Sequence, residues 1–390
     1  MTFHRKFSST ALATVTPAAS SRSRLAAAAS VATGVSAAVS MVLGMAFAGA
    51  ASASTKIHDT EAGSRQSLSG VSHFGIADPD LLSESATLQA SQLAAMKAIG
   101  ITSIRMDANW EWVQYGGPNS FDWAQLDRAV KSVRAAGMSV DLIIDGCPNW
   151  AALPGTSGDA SPPPASSAQY ATWAAKVAAR YAPQGVGTFE IWNEPNAAGF
   201  WQPKANPAAY TADLVAAYAA IKKVDPSAFV ISAGLAPEAT DGTNINAVDF
   251  LKAMYAHGAK GSFDALGYHP YSYPALPNTY EYWSGWSQMA QTSSSIRSVM
   301  TSNGDSSKKL WLTEEGAPSG GPSGVGQAAQ ATALTQAIAA AKTTSWIGAL
   351  YLYSWQDEGT DRGNTEDWFG LLTAGGSRKP AYTAVVAALK

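Results

Sequence analysis

The sequence predicts an α/β fold of one kind, a (β/α)8 TIM barrel forming a single domain. Three observations carry this. From Gly70 onward, short apolar strands alternate with amphipathic helices, eight of each, and that alternation builds a parallel sheet. The even count suits closure, and this part of the chain has room for the ~250 residues a barrel typically needs. No Gly-rich phosphate loop follows the first strand, as a doubly wound sheet would often show, and no self-similarity marks a solenoid.

Each element has its own signal. Strands are expected at 71–76, 103–107, 140–145, from 189, at 229–233, 265–268, 310–314 and 349–354. The first helix, 87–99, carries Leu88, Leu93, Met96 and Ile99 on one face and ends at Gly100. Asp122 caps the second, which runs to 136 and stops at Gly137. The third spans 167–181. Asn206 as cap and Pro207 at the first helical position start the fourth, which runs to 223. The others are expected at 248–256, 286–303, 327–342 and 380–389.

The N-terminus stands apart from this rhythm. His4, Arg5, Lys6, Arg22 and Arg24 form a basic, acid-free start, 25–50 is uncharged, and Ala51-Ser52-Ala53 is an A-x-A site. Residues 1–53 therefore read as a secretory signal peptide, 54–69 as a linker, and 70–390 as the (β/α)8 domain. The alternative is an uncleaved anchor helix, since the uncharged run is long enough to span a bilayer. Cleavage takes the formal charge from −3 to −7, because the segment carries four Lys/Arg and no acid. An acidic chain with few charges is a poor nucleic-acid binder and suits a neutral partner. The single Cys147 permits no internal disulfide and reads as a buried packing residue.

The chemistry concentrates in two strand ends. Phe189-Glu190-Ile191-Trp192 is apolar and β-prone, then stops at Asn193-Glu194-Pro195-Asn196, where Pro195 cannot extend a ladder. Leu310-Trp311-Leu312-Thr313-Glu314-Glu315-Gly316 has the same shape. Two carboxylates flanking one bond are the equipment of glycosidic cleavage. The chain here resembles the clan A glycoside hydrolases, whose acid/base sits in an Asn-Glu pair ending strand four and whose nucleophile sits in a Thr-Glu-x-Gly pattern ending strand seven. Nearest are the family 39 and family 5 enzymes, including cellulase-like proteins and exopolysaccharide glycosidases. The likeness covers the chain from about Gly70 to its end.

The resemblance implies a role for each matching residue. Glu194 is the expected general acid/base and Glu314 the expected nucleophile, with Glu315 the alternative because the family usually has an aromatic there. Arg105 matches the strand-two arginine and, with Tyr271, is a candidate donor to Glu314. Its alternative is an ion pair with Asp107. Asn193 matches the asparagine that binds the sugar 2-hydroxyl. His269 and Tyr271 match a strand-six His-x-Tyr pattern, and Trp355 the strand-eight sugar platform. Trp150 ends the third strand's loop as a further substrate contact. His269 and Trp355 also have plain structural readings. Trp110, Trp112, Trp201, Trp283 and Trp286 would suit stacking along several sugars, with some of those rings in the core.

No cofactor is expected. Five histidines without ligand spacing make no zinc site, and the acidic run Asp357, Glu358, Asp361, Glu366, Asp367 lacks EF-hand spacing. The expectation is a secreted or cell-envelope monomer that acts on a carbohydrate. It would be a retaining glycoside hydrolase cleaving β-linked bonds, with no nucleic-acid partner and no stable membrane insertion after cleavage. The competing readings are a non-catalytic glycan-binding barrel and a cell-envelope transglycosylase.

Overall fold

The computed structural model describes residues 73–156 and 161–390. The expected signal peptide, the linker and the start of the first strand lie outside them. Eight parallel strands run β1 (His73–Ala77), β2 (Ser103–Asn109), β3 (Ser139–Asp145), β4 (Thr188–Asn193), β5 (Phe229–Gly234), β6 (Leu266–Tyr268), β7 (Leu310–Glu315) and β8 (Ile347–Tyr353). Their spatial order is β5-β4-β3-β2-β1-β8-β7-β6. Parallel bridges Ile231↔Ala265 and Leu235↔Tyr268 link β5 to β6. The sheet thus closes into a barrel, which removes its edges.

The helices are α1 (Ala86–Ala98), α2 (Trp110–Val113), α3 (Ala124–Ala135), α4 (Ser167–Tyr181), α5 (Pro207–Val224), α6 (Ala247–Ala256), α7 (Gly285–Ala290), α8 (Ile296–Ser302), α9 (Gln327–Thr343) and α10 (Pro380–Leu389). Ser85, Ser166, Asn206, Asn246 and Ser295 each accept a first-turn N–H, satisfying a donor the helix leaves unpaired. Gly100 and Gly137, just past α1 and α3, take φ of 100° and 69°, left-handed values that turn the chain back toward the sheet.

Two expectations need correction here. The helix expected over 286–303 is broken into α7 and α8. Thr292 turns its hydroxyl onto the Ser294 carbonyl, Ser294 has a φ of 69°, and Ser295 and Ser298 form a capping box that starts the second piece. Hydroxyl side chains bonding nearby backbone compete with a continuing helix. Asp122 does accept the Ala124 N–H at 3.0 Å, but the cap position itself falls on Trp123.

The core has two compartments. Inside the barrel, Ala77, Ile231, Ala265, Trp311, Ala349 and Tyr351 pack together, with Phe229 and Tyr353 against them. The Trp311 ring lies 5.1 Å from Phe229 and 5.6 Å from His73. It fills the N-terminal end of the barrel, and the polar groups are left to the other end. The larger cluster lies between strands and helices. No helix among the described residues is long and apolar enough to cross a membrane.

Candidate active site

Two irregular strand ends aim the key side chains. On β4, Trp192 has a φ of 70° and Glu194 one of 45°. Such values cost a non-glycine residue about 1–3 kcal/mol each. They break the alternation of the strand, so that Asn193 and Glu194, consecutive in sequence, both meet groups in the barrel mouth. On β7 the register against β8 slips between Leu312 and Glu315. A bulge of this kind re-aims side chains beside a site. Here Thr313 and Glu314 both turn inward, while Glu315 is buried near Tyr268 and Trp286. Of the two neighbouring glutamates, Glu314 is the one that faces Glu194.

Arg105, rising from β2, holds the assembly together. Its Nε donates to Glu190 Oε2 at 2.7 Å and its Nη2 to Glu190 Oε1 at 3.2 Å. Nη1 donates to Glu314 Oε1 at 2.6 Å, and Nη2 also reaches Asn193 Oδ1 at 2.9 Å. The partner of the guanidinium is therefore Glu190 together with Glu314, and the pairing with Asp107 considered from sequence is not formed. Tyr271 donates its hydroxyl to Glu314 Oε2 at 2.8 Å. His269 places Nδ1 2.8 Å from Glu194 Oε1 and 3.7 Å from Glu314 Oε2, with Nε2 3.1 Å from the Thr313 hydroxyl. Oxygens of Glu194 and Glu314 and a ring nitrogen of His269 all lie within 4.8 Å of one another.

The electrostatics set Glu314 apart. Burial opposes its ionisation, but His269, Arg105 and the Tyr271 hydroxyl outweigh burial and hold its carboxyl down at about 2. Nearby acids go the other way. Burial, against the pull of Arg105 and with Glu314 and Glu190 adding to it, raises Asp107 to about 6. Burial first, then Asp107, pushes Asp145 well above the usual carboxylate range. Asp141, level with Arg105 on the neighbouring strand, fully buried and without a hydrogen-bond partner for either oxygen, is pushed up by burial and then by Glu190.

The structure thus gathers Arg105, Asn193, Glu194, His269, Tyr271 and Glu314 into one network. It does not bring Trp150 or Trp355 into it. Trp150 donates Nε1 to the Gln114 carbonyl at 2.9 Å and sets its ring edge-on to Trp110. Trp355 is 2% exposed and packs on Tyr382 of α10, so it offers no face to a sugar. Tyr353, two residues earlier, lines the inner wall where β8 pairs with Ala77 of β1. Trp110, Trp201 and Trp286 are core, whereas Trp112 is exposed. Trp192 packs edge-on against Trp201 outside the barrel. Cys147 is buried, and burial pushes its thiol up. Asp357 of the acidic run pairs with Lys379 at 2.8 Å.

Three residues of the site carried no role in the sequence reading. Glu190 has no local signal beyond being a charge in an apolar strand at the inward phase. Thr313 stands out in the sequence only as part of the Thr-Glu-x-Gly pattern. Gly234 on β5 is required by contact: a Cβ there would fall 2.1 Å from His269 Nε2 and 2.6 Å from Thr313 Oγ1. Asn196 turned out to be structural, clamping the loops after β4 and β5 through Ala236 and Ile245.

Glu194, His269 and Glu314 form a donor set that a divalent cation could use. Their atoms are already engaged, however: both Glu314 oxygens accept charged or phenolic donors, and His269 Nδ1 faces Glu194. The same arrangement can instead donate a proton at one carboxyl and attack with the other.

Comparison with known proteins shows the family and the fold. Residues 59–356 match the family model Cellulase (glycosyl hydrolase family 5). No curated protein matches in sequence. Among solved structures, a family 39 glycoside hydrolase from Bacteroides cellulosilyticus WH2 is similar, with a TM-score of 0.61, 20% identity and coverage of 82% of this chain. The chain spans 64% of the length of that enzyme. A monomeric beta-xylosidase from Caulobacter crescentus CB15 gives a TM-score of 0.60 at 19% identity, covering 81% of this chain and 67% of that one. GH5_18 from Streptomyces cattleya, in complex with GlcNAc, gives 0.62 at 18% identity, covering 83% and 80%. At these identities the likeness to solved structures concerns the fold.

Proposed function

Since the chain belongs to the cellulase family, glycosyl hydrolase family 5, and is a glycoside hydrolase, we propose that it cleaves β-linked bonds of a poly- or oligosaccharide with retention of configuration. The observation that carries this is that an oxygen of Glu194 comes within 4.8 Å of an oxygen of Glu314. Retaining sites hold their carboxyls about 5–5.5 Å apart, whereas inverting sites keep roughly 6.5–9.5 Å to admit a water.

In the first step Glu314, kept anionic by Arg105 and Tyr271, attacks the anomeric carbon. The glycosidic C–O bond breaks, and Glu194 gives its proton to the leaving oxygen. In the second step Glu194 takes a proton from water, the hydroxide bonds to the anomeric carbon, and the bond to Glu314 breaks. Asn193, held by Arg105, is placed to bind the sugar 2-hydroxyl, a bond that strengthens in the transition state. The basic start and the A-x-A site of the sequence support a secreted or cell-envelope location, and the low overall charge supports a neutral glycan.

The test is leaving-group dependence. Glu194→Ala should retain activity on activated aryl β-glycosides and lose it on unactivated ones, because a good leaving group needs no proton. Glu314→Ala should abolish both, because no covalent intermediate forms. Equal losses on both substrate kinds for Glu194→Ala would reject its assignment as the acid. Product of inverted configuration would reject retention.

A further inference from the structure

The polar groups behind the catalytic pair have a fixed hydrogen-bond direction. Glu190 accepts Arg105 through both oxygens, and its Oε1 also accepts the Gly234 N–H at 2.8 Å. Three N–H bonds already point at this carboxylate, so the Thr313 hydroxyl, 3.0 Å away, can only donate to it. A hydroxyl has one proton. Once it is committed to Glu190, the Thr313 oxygen presents lone pairs to His269 Nε2, 3.1 Å away. Nε2 must then carry a hydrogen.

That constraint reaches Glu194. With the ring hydrogen on Nε2, the 2.8 Å contact between Nδ1 and Glu194 Oε1 needs a further proton, on one atom or the other. The Glu194–His269 pair then holds a proton that can leave through Glu194. If Nε2 were bare, the ring could place its single hydrogen on Nδ1 and donate it to an ionised Glu194, and the pair would have no acid proton to give. Resting on the retaining-hydrolase reading above, we propose that Thr313 is a positioning residue that locks the His269 tautomer and thereby keeps Glu194 loaded as an acid.

The surroundings of His269 are consistent with this. The titratable groups around it are Glu194 just past β4, Glu190 of β4 across the Thr313 hydroxyl, Glu314 from β7, Arg105 behind them on β2, and Tyr271, whose ring centre lies 6.2 Å away. On the β5 side, Gly234 lies against the ring. No other hydrogen-bond partner of Nε2 is present among the described residues, so the tautomer rests on Thr313.

Two readouts test the lock on the full chain. In the wild type, the nitrogen NMR shift of His269 Nε2 should be that of a protonated ring nitrogen. In Thr313→Val, which keeps the shape and removes the hydroxyl, it should move toward the bare-nitrogen value. This measurement reads the lock whether or not a given glycoside is turned over. In kinetics, Thr313→Val should lose about tenfold in kcat/KM on unactivated substrates, the rate equivalent of one neutral hydrogen bond, and much less on activated aryl glycosides. Its alkaline limb should shift to lower pH, and Thr313→Ser should restore both. A protonated Nε2 in folded Thr313→Val, or equal losses on both substrate kinds, would overturn the proposal.

Discussion

Arg105→Met is the sharpest perturbation the site allows. Arg105 is 2% exposed and its main partner Glu190 is fully buried. The substitution removes four hydrogen bonds and leaves the Glu190 carboxylate uncompensated. Breaking one side of a buried pair costs about 3–5 kcal/mol, so unfolding in denaturant at neutral pH should show a loss of that size. Arg105→Lys keeps the charge but cannot serve both oxygens of Glu190 and Glu314 together, and should lose roughly half as much. Activity should change in a second way. Glu314 is held from 4.5 down to about 2, a differential of about 3 kcal/mol at 1.36 kcal/mol per unit. Removing one of the groups responsible while His269 and Tyr271 stay should move the acid limb of kcat/KM up by about one unit or more. The assay is a pH–rate profile on an activated aryl glycoside beside the unfolding curve. A Met variant within about 1 kcal/mol of wild type, or an acid limb that does not move, would refute the account of how Glu314 is kept ionised.

Three further outcomes are expected. Gly234→Ala places a methyl 2.1 Å from His269 Nε2. It should cost about 1–3 kcal/mol of stability as an overpacked site and reduce kcat on unactivated substrates, measured by unfolding and steady-state kinetics; wild-type values of both would mean that β5 does not brace the ring. Stability should peak on the acid side of neutrality. Glu314, depressed to about 2, gives stability complete above ~4.5 and lost as pH falls through 2. Asp78, raised to about 7 by burial and then Asp80 and Glu84, and Asp213, raised to about 7 by burial, give stability complete below ~3.8 and lost as pH rises through 7. Tm should therefore be highest at about pH 4 on this balance, and a Tm that climbs steadily from about pH 4 to 7 would contradict it. On the proposed secretion, N-terminal sequencing of protein recovered outside the cell should begin after Ala53, and finding Met1 there would rule out the signal peptide.

What the sequence disclosed, and what it withheld, divides along one physical line. The strand–helix rhythm was legible because buried parallel strands read as apolar runs and because caps such as Asn206-Pro207 are local. The two glutamates proposed as catalytic were legible because a polar residue ending an apolar strand stands at the barrel mouth. Facing was less legible, since it rests on period two, and the chain departs from that period at the site. Left-handed Trp192 and Glu194 bring Asn193 and Glu194 to the same space, and the β7 bulge does the same for Thr313 and Glu314. Period two alone would have sent one member of each pair to the helix layer. Trp355 fails for a related reason: it lies past the last paired residue of β8, where position no longer fixes direction, and the inner wall is Tyr353. The Arg105–Glu190 pair, 85 residues apart in sequence, was beyond any local pattern, because Asp107, Asp141 and Glu190 were equally available on paper. Natural chains depart from local regularity chiefly where function demands it. Here both irregular strand ends carry a proposed catalytic glutamate, so backbone irregularity marks the same two carboxylates independently of the motifs that suggested them.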